Sequence, residues 1–453
     1  MLLAAALFAI SVFSSTAHAQ STGIRLDSSG VVSEFPSGIR IRASASGDND
    51  IASIAVRLNV GLVEHSAFNY IPVQPGRQVA GELLWRTDTA SSYIPPGTEL
   101  TYSFEIVDTA GNRLQTPRQT MVYHDPRFEW SEISRGPVKL AYHGSARSSA
   151  DQILNTIVDT LAKMGPILGA DTEAPIRVTV FNSVSEMRSA LATRSAVSDS
   201  TLVTEGQAFN EMGTLLVLGG NRGARGTASH EVTHILVHRA GEGLYRMVPS
   251  WLHEGLAEYG NVSTVNGYES ALRSAIRNDK LLPITYMGGL PGPADQVLIF
   301  YGQSRAMVRY MIDEYGAAQM RTLLAAYKGG KSMDDALKEA YGVDREGMEN
   351  LWRKSVGGEL LEAPDLSSLP TPVPYPTLMP YTLTPYPFPS AEAATPTPVV
   401  TAPSPSATAV PTAQGPASGG GCNPRRSGGP ADGALAMSAV AFAVLVSRRK
   451  GRR

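Results

Sequence analysis

Cysteine is nearly absent from this chain: one residue, Cys422, in 453. No intramolecular disulfide is possible, so Cys422 has only processing, lipidation or pairing with another chain open to it. Excess charge is missing too. Lys and Arg number 39 against 41 Asp and Glu, a net charge of −2, and that balance leaves no electrostatic footprint for a nucleic-acid partner. Long apolar runs are scarce. The one at about 433–446 is short for a bilayer span, where about 20 residues are usual. Lys and Arg are also missing between Pro364 and Pro416, a stretch that holds 15 of the 31 prolines mixed with Thr, Ser and Ala. Such a composition cannot bury a core. It favours polyproline II at about 3.1 Å per residue, so some fifty residues make a stalk of up to roughly 150 Å.

What the chain does have is histidine in one place. Four of its eight histidines fall between His230 and His253, two of them in His230-Glu231-Val232-Thr233-His234. On a helix, residues four apart stand one above the other about 6 Å along the axis, so His230 and His234 can direct imidazole nitrogens at one metal ion. Glu231 points to the neighbouring face. Two imidazoles and a carboxylate leave a fourth zinc position open for water, and a nearby glutamate can take that water's proton. The pattern arises by chance in roughly one chain in a hundred of this length, so a second element is needed.

A third ligand is sought after His234. Val237 and Ala240 stand where a glycine turn and a further histidine would be needed. His238 continues the spacing but lies about 12 Å along the axis from His230, out of reach of the same ion. Glu242, between two glycines directly after the first helix, is set aside because it sits in a turn. The run Pro249-Ser250-Trp251-Leu252-His253-Glu254-Gly255-Leu256-Ala257-Glu258-Tyr259-Gly260 reads as a short helix opened by Pro249 and Ser250, with Ser250 as cap, and stopped by Gly260-Asn261. Packed across the first helix, it brings Glu254 to the metal, with Gly255 permitting close approach of the two backbones. Glu258, one turn on, is placed to accept a hydrogen bond from the non-ligating nitrogen of a zinc-bound histidine. The bland alternative makes Glu254 and Glu258 a solvated helix face. His253 is turned about 100° from Glu254 and is expected outside the ligand ring.

These motifs resemble the gluzincin metallopeptidases, the peptidase MA-like superfamily that includes thermolysin and aminopeptidase N. The resemblance rests on His230-Glu231-x-x-His234 and, after a gap of 19 residues, Trp251-Leu252-x-Glu254-Gly255-x-Ala257-x-Tyr259. It covers roughly Val138 to Trp352. It implies Glu254 as third zinc ligand, Glu231 as the base, and Glu258 as the group that orients a ligand histidine. It also implies a phenol or imidazole at the oxyanion, for which Tyr301 stands at a matching distance downstream and His253 is the other candidate. The alternative for Tyr301 is packing at a helix start beside Ser304. The Gly-x-Met-Glu-Asn motif of aminopeptidases is not recognisable, and Gly206-Gln207-Ala208-Phe209-Asn210-Glu211-Met212 occupies about its place.

Around the motif, Val138–Tyr142, Ile176–Phe181 and Thr214–Leu218 read as strands, the last as a cleft edge or as a core strand. A helix is expected from about Ala150 to Met164, ended by Gly165-Pro166. Further helices are expected at Ser304–Tyr315 and Met333–Tyr341. Alternation in Ile39, Ile41 and Ala43, in Ile54, Val56, Leu58 and Val60, and in Leu100, Tyr102, Phe104 and Ile106 suggests an immunoglobulin-like or fibronectin-like β-sandwich.

The expected fold class is therefore α+β. A signal peptide spans 1–19, ending in Ala17-His18-Ala19, a β-sandwich 20–132, a zincin-like catalytic domain 136–362, a disordered Pro/Thr/Ser-rich stalk 363–421, and an anchor or sorting signal 422–453. No Lys or Arg follows Met1, which departs from ordinary signal peptides, and a transmembrane anchor is the alternative there. Arg448, Arg449 and Lys450 after the last apolar run suit a cytoplasmic end, so the C-terminus is read either as a plain membrane anchor or as a bacterial sorting signal beginning near Cys422. The expected function is an exported, surface-tethered, zinc-dependent peptidase acting on peptide or protein. The alternatives are a non-catalytic adhesion or scaffold protein with a peptidase-like fold, and a hydrolase of cell-wall peptides.

Overall fold

The computed structural model describes residues 23–63, 66–89, 92–192, 204–243, 248–263 and 266–362. The expected signal peptide, stalk and C-terminal anchor, including Cys422, lie outside the described residues.

Seven antiparallel strands come first: β1 (Ile24–Glu34), β2 (Gly38–Val60), β3 (Ser66–Ile71), β4 (Gly76–Arg86), β5 (Thr98–Asp108), β6 (Arg113–Gln115) and β7 (Gln119–Tyr123). The two alternating runs around Ile41 and Val56 are one continuous strand of 23 residues. The first half of β2 pairs with β1 and β4, and its second half with β3 and β5. The seven strands are thus all linked by hydrogen bonds, joined through β2. Ile39, Ile41, Ile54, Val56, Leu58, Leu100, Phe104 and Tyr123 share its core, as period-2 alternation demands when one face is covered.

A second, five-stranded mixed sheet follows, in the order β11-β12-β10-β9-β8. Its strands are β8 (Trp130–Arg135), β9 (Val138–His143), β10 (Ile176–Phe181), β11 (Gly206–Phe209) and β12 (Thr214–Leu218). Helices α1 (Arg147–Leu168) and α2 (Val184–Ala190) are interleaved with them. Then come α3 (Ala224–Gly241), α4 (Ser250–Gly260), α5 (Asn266–Arg277), α6 (Ala294–Tyr315), α7 (Ala317–Lys328), α8 (Met333–Tyr341) and α9 (Arg345–Ser355). The architecture is a mixed α+β one.

Both faces of this sheet are covered. Leu215 and Val217 turn to the core shared with the helices, while Leu216 and Leu218 turn to the core shared with the seven-stranded sheet. A strand buried on both faces shows no polar alternation, which is why Leu215–Leu218 reads as an unbroken apolar run. Of the two readings of that run, the core one holds: β12 is flanked by β10 and β11, and its five residues are buried. The end position belongs to β11 instead.

Helix α1 departs from expectation. It passes through Gly165 and Pro166 and ends only at Gly169, whose φ of 71° permits the left-handed turn. Gly165 is small for a tertiary reason, since a Cβ there would stand 2.4 Å from the Thr172 methyl. α6 begins well before Ser304, so Tyr301 lies two turns inside it, not at a helix start. Ser250 does not cap α4: its hydroxyl donates to the Gly288 carbonyl at 2.8 Å.

Candidate metal centre

Helix α3 is buried almost all round and packs against α1, β11 and β12. A polar cluster on such a helix must be satisfied inside the protein. His230, Glu231 and His234 on α3, Glu254 and Glu258 on α4, and Tyr301 on α6 are each at most 3% exposed. The bland reading of Glu254 and Glu258 as a solvated face therefore fails.

Nε2 of His230 and Nε2 of His234 are 3.0 Å apart. Glu254 Oε2 lies 3.5 Å from the first and 3.7 Å from the second. These three atoms lie within 4.8 Å of one another. Tetrahedral zinc bound at about 2.0–2.1 Å needs donor atoms roughly 3.3 Å apart. The separations fit that requirement, and buried Glu254 Oε2 has no conventional hydrogen-bond partner in the protein. The donor set of two imidazoles and a carboxylate suits zinc.

Behind the ring, Glu258 Oε1 stands 2.9 Å from His230 Nδ1. His253 Nδ1 stands 2.6 Å from His234 Nδ1, so His253 touches a candidate ligand from outside the three-residue group. His238 pairs with Glu242, and Glu242 Oε1 lies 3.6 Å from His253 Nε2. Neither His238 nor Glu242 belongs to the ring.

The electrostatics follow from burial and from like and unlike neighbours. Burial pushes the Glu231 carboxyl up to about 7, the His230 charge opposing and the Glu254 charge assisting. Burial alone would lower His230, but Glu254 and Glu258 more than offset it and hold its pKa well above the ordinary value. His234 is held well below that value by burial and by the charges of His253 and His230. Burial raises Glu254 as well. The Tyr301 hydroxyl is raised by burial and then by Glu254, Tyr268, Glu258 and Glu231.

The close approach that builds the site uses glycines differently from expectation. A Cβ on Gly255 would meet the Ser304 carbonyl oxygen at 2.5 Å, so Gly255 lets α4 approach α6, not α3. The α3–α4 approach goes through Gly260, where a Cβ would stand 2.3 Å from Thr233 Oγ1. One residue round a helix is about 100°, so Glu254 and Gly255 cannot face the same neighbour.

Two features were missed from sequence. Tyr268 on α5 stacks on Tyr301, with centroids 5.1 Å apart and planes at 13°. Gly206, opening β11, sits against Glu231, whose Cγ would lie 2.7 Å from a Cβ there. Neither contact has a periodic signature, because each joins elements far apart in the chain.

Residues 156–358 match the family model described as the peptidase MA superfamily. That segment belongs to this superfamily. It spans every residue of the cluster, makes the domain zincin-like, and suggests a metallopeptidase. No curated protein matches the sequence. Among solved structures, a two-domain M1 zinc metallopeptidase variant bound to L-tryptophan is similar at 11% identity, over 72% of this chain and 91% of that one, with a TM-score of 0.32. The bromine derivative of BhCBM56 is similar at 13% identity, over 21% of this chain and 88% of that one, with a TM-score of 0.15. A cycloalternan-degrading enzyme from Trueperella pyogenes in complex with isomaltose is similar at 14% identity, over 22% of this chain and only 12% of that one, also at a TM-score of 0.15. At such TM-scores these likenesses add nothing to the family match.

Proposed function

We propose that this chain is an exported, surface-tethered zinc metallopeptidase that hydrolyses peptide bonds in peptide or protein substrates. The observation that carries the reading is the buried convergence of His230 Nε2, His234 Nε2 and Glu254 Oε2 within 4.8 Å. These three residues would hold the metal. When bound, zinc supplies the electrophilic polarisation and the acidification of water that amide hydrolysis needs at neutral pH.

The chain's own groups do the rest. Glu231, with its carboxyl raised by burial to about 7, is a base matched to neutral pH that takes the proton of the attacking water and passes it to the leaving amine. The raised Tyr301 hydroxyl stays protonated and donates a hydrogen bond to the oxyanion that develops on the scissile carbonyl. Glu258 fixes the ring of His230. β11, at the end of the sheet and against Glu231, offers main-chain groups to an extended peptide. The seven-stranded unit, of immunoglobulin or fibronectin kind, spaces this site or binds a partner. The signal peptide directs export, and the Pro-rich stalk and C-terminal segment hold the enzyme at the membrane.

The test compares zinc content and hydrolysis of casein and a peptide library for the wild type and Glu231→Gln. Retained zinc with cleavage lowered by at least about 10²-fold is expected. Unchanged cleavage removes Glu231 from the chemistry. A zinc-loaded wild type that cleaves nothing supports the scaffold alternative, and cleavage confined to cross-linked wall fragments supports the cell-wall one.

A further inference from the structure

Resting on the metal reading above, the geometry points to His253 as a positioning residue for His234, with Glu242 as the group that sets the state of His253. The two metal histidines are backed differently. His230 has a carboxylate behind it, Glu258 Oε1 at 2.9 Å from Nδ1. His234 has another imidazole, His253 Nδ1 at 2.6 Å from its own Nδ1, with the rings stacked at 24°.

Two nitrogens that close cannot both carry hydrogen, nor both present lone pairs; one donates and the other accepts. His234 must keep a lone pair on Nε2, the atom that faces His230 Nε2 and Glu254 Oε2. A neutral imidazole with a free Nε2 carries its proton on Nδ1. His234 Nδ1–H therefore donates to His253 Nδ1. It follows that His253 carries its own proton on Nε2.

That nitrogen faces Glu242 Oε1 at 3.6 Å. The distance is too long for a direct hydrogen bond, but the carboxylate charge favours an N–H over a lone pair there. Glu242 is itself held by His238 Nδ1, which bonds its other oxygen. A chain runs from the surface inward: His238 fixes Glu242, Glu242 sets the His253 tautomer, and His253 sets the tautomer and ring angle of His234. Such partners behind a metal ligand tune affinity by about 10- to 100-fold when removed.

Two measurements test this on the full chain loaded with zinc. In long-range proton–nitrogen NMR spectra, His234 is expected as the Nδ1–H tautomer and His253 as the Nε2–H tautomer. Zinc affinity, read by competition with a chelator, is expected to fall about 10- to 100-fold in His253→Phe. It should be largely restored in His253→Asn, whose side-chain oxygen can accept the same bond. A proton on His253 Nδ1, or equal affinities for wild type and His253→Phe, overturns the inference and leaves the metal reading standing. So does His253→Asn binding as weakly as His253→Phe. Should His253→Phe fail to fold, the tautomers of the wild type decide alone. A wild type that takes up no zinc overturns both.

Discussion

On the proposed reading Glu258 and Tyr301 would act on the metal site without holding the metal, and their removal should separate binding from turnover. Glu258 is the partner of His230 Nδ1 at 2.9 Å. Glu258→Ala is expected to weaken zinc binding about 10- to 100-fold, measured by chelator competition, and an unchanged affinity would refute its orienting role. Tyr301→Phe removes only a hydroxyl and should leave zinc affinity and KM nearly unchanged while lowering kcat about 10²-fold. A variant that loses KM instead would make Tyr301 a substrate-binding group. At this scale the sequence was legible wherever one helix supplied the spacing: four residues bring His230 to His234, and four bring Glu254 to Glu258. It was not legible for Tyr268 or Gly206, which reach Tyr301 and Glu231 across elements. Pairing between distant helices and strands leaves no fixed interval to count.

The helices can bring the three candidate ligands together only if they approach closely, and glycine makes that possible. A Cβ on Gly255 would meet a backbone oxygen, that of Ser304, at 2.5 Å; backbone yields less readily than a flexible side chain. Gly255→Ala is expected to destabilise the zinc-free protein by about 1–3 kcal/mol in urea unfolding, as overpacking does. Gly267→Ala, where nothing stands within 4 Å of the added carbon, should be no worse than neutral. Equal effects from the two would mean that α4 and α6 adjust freely. The elements themselves were mostly legible, because β9, β10, β12 and α4 show the expected periodicity or breakers. α1 runs past Gly165 and Pro166, which look like a stop in sequence. Gly165 is there for Thr172, and Pro166 falls in the last turn, where little helix remains to be broken.

Across the described molecule the two sheets share a core, so they should not unfold independently. Phe181, Leu216 and Leu218 of the second sheet belong to the same cluster as Tyr93 and Tyr123 from the seven-stranded unit. Arg177 of β10 pairs with Glu99 of β5 at 2.6 Å. His124 sits at this junction, just after β7, stacked on Trp130 at 16°. Burial, and then the Arg177 charge, lowers its pKa from 6.5 to about 4. Folding therefore favours the neutral ring. Above pH 6.5 neither state binds the proton and the contribution is fully present; as pH falls from 6.5 towards 4 the unfolded chain takes up the proton first, and stability is lost. Zinc-loaded wild type should lose urea resistance across that window. His124→Phe, which keeps a ring against Trp130 and has nothing to titrate, should lose measurably less over the same range. Parallel losses would mean that His124 is charged in the folded protein, and the acid sensitivity would then belong to other groups.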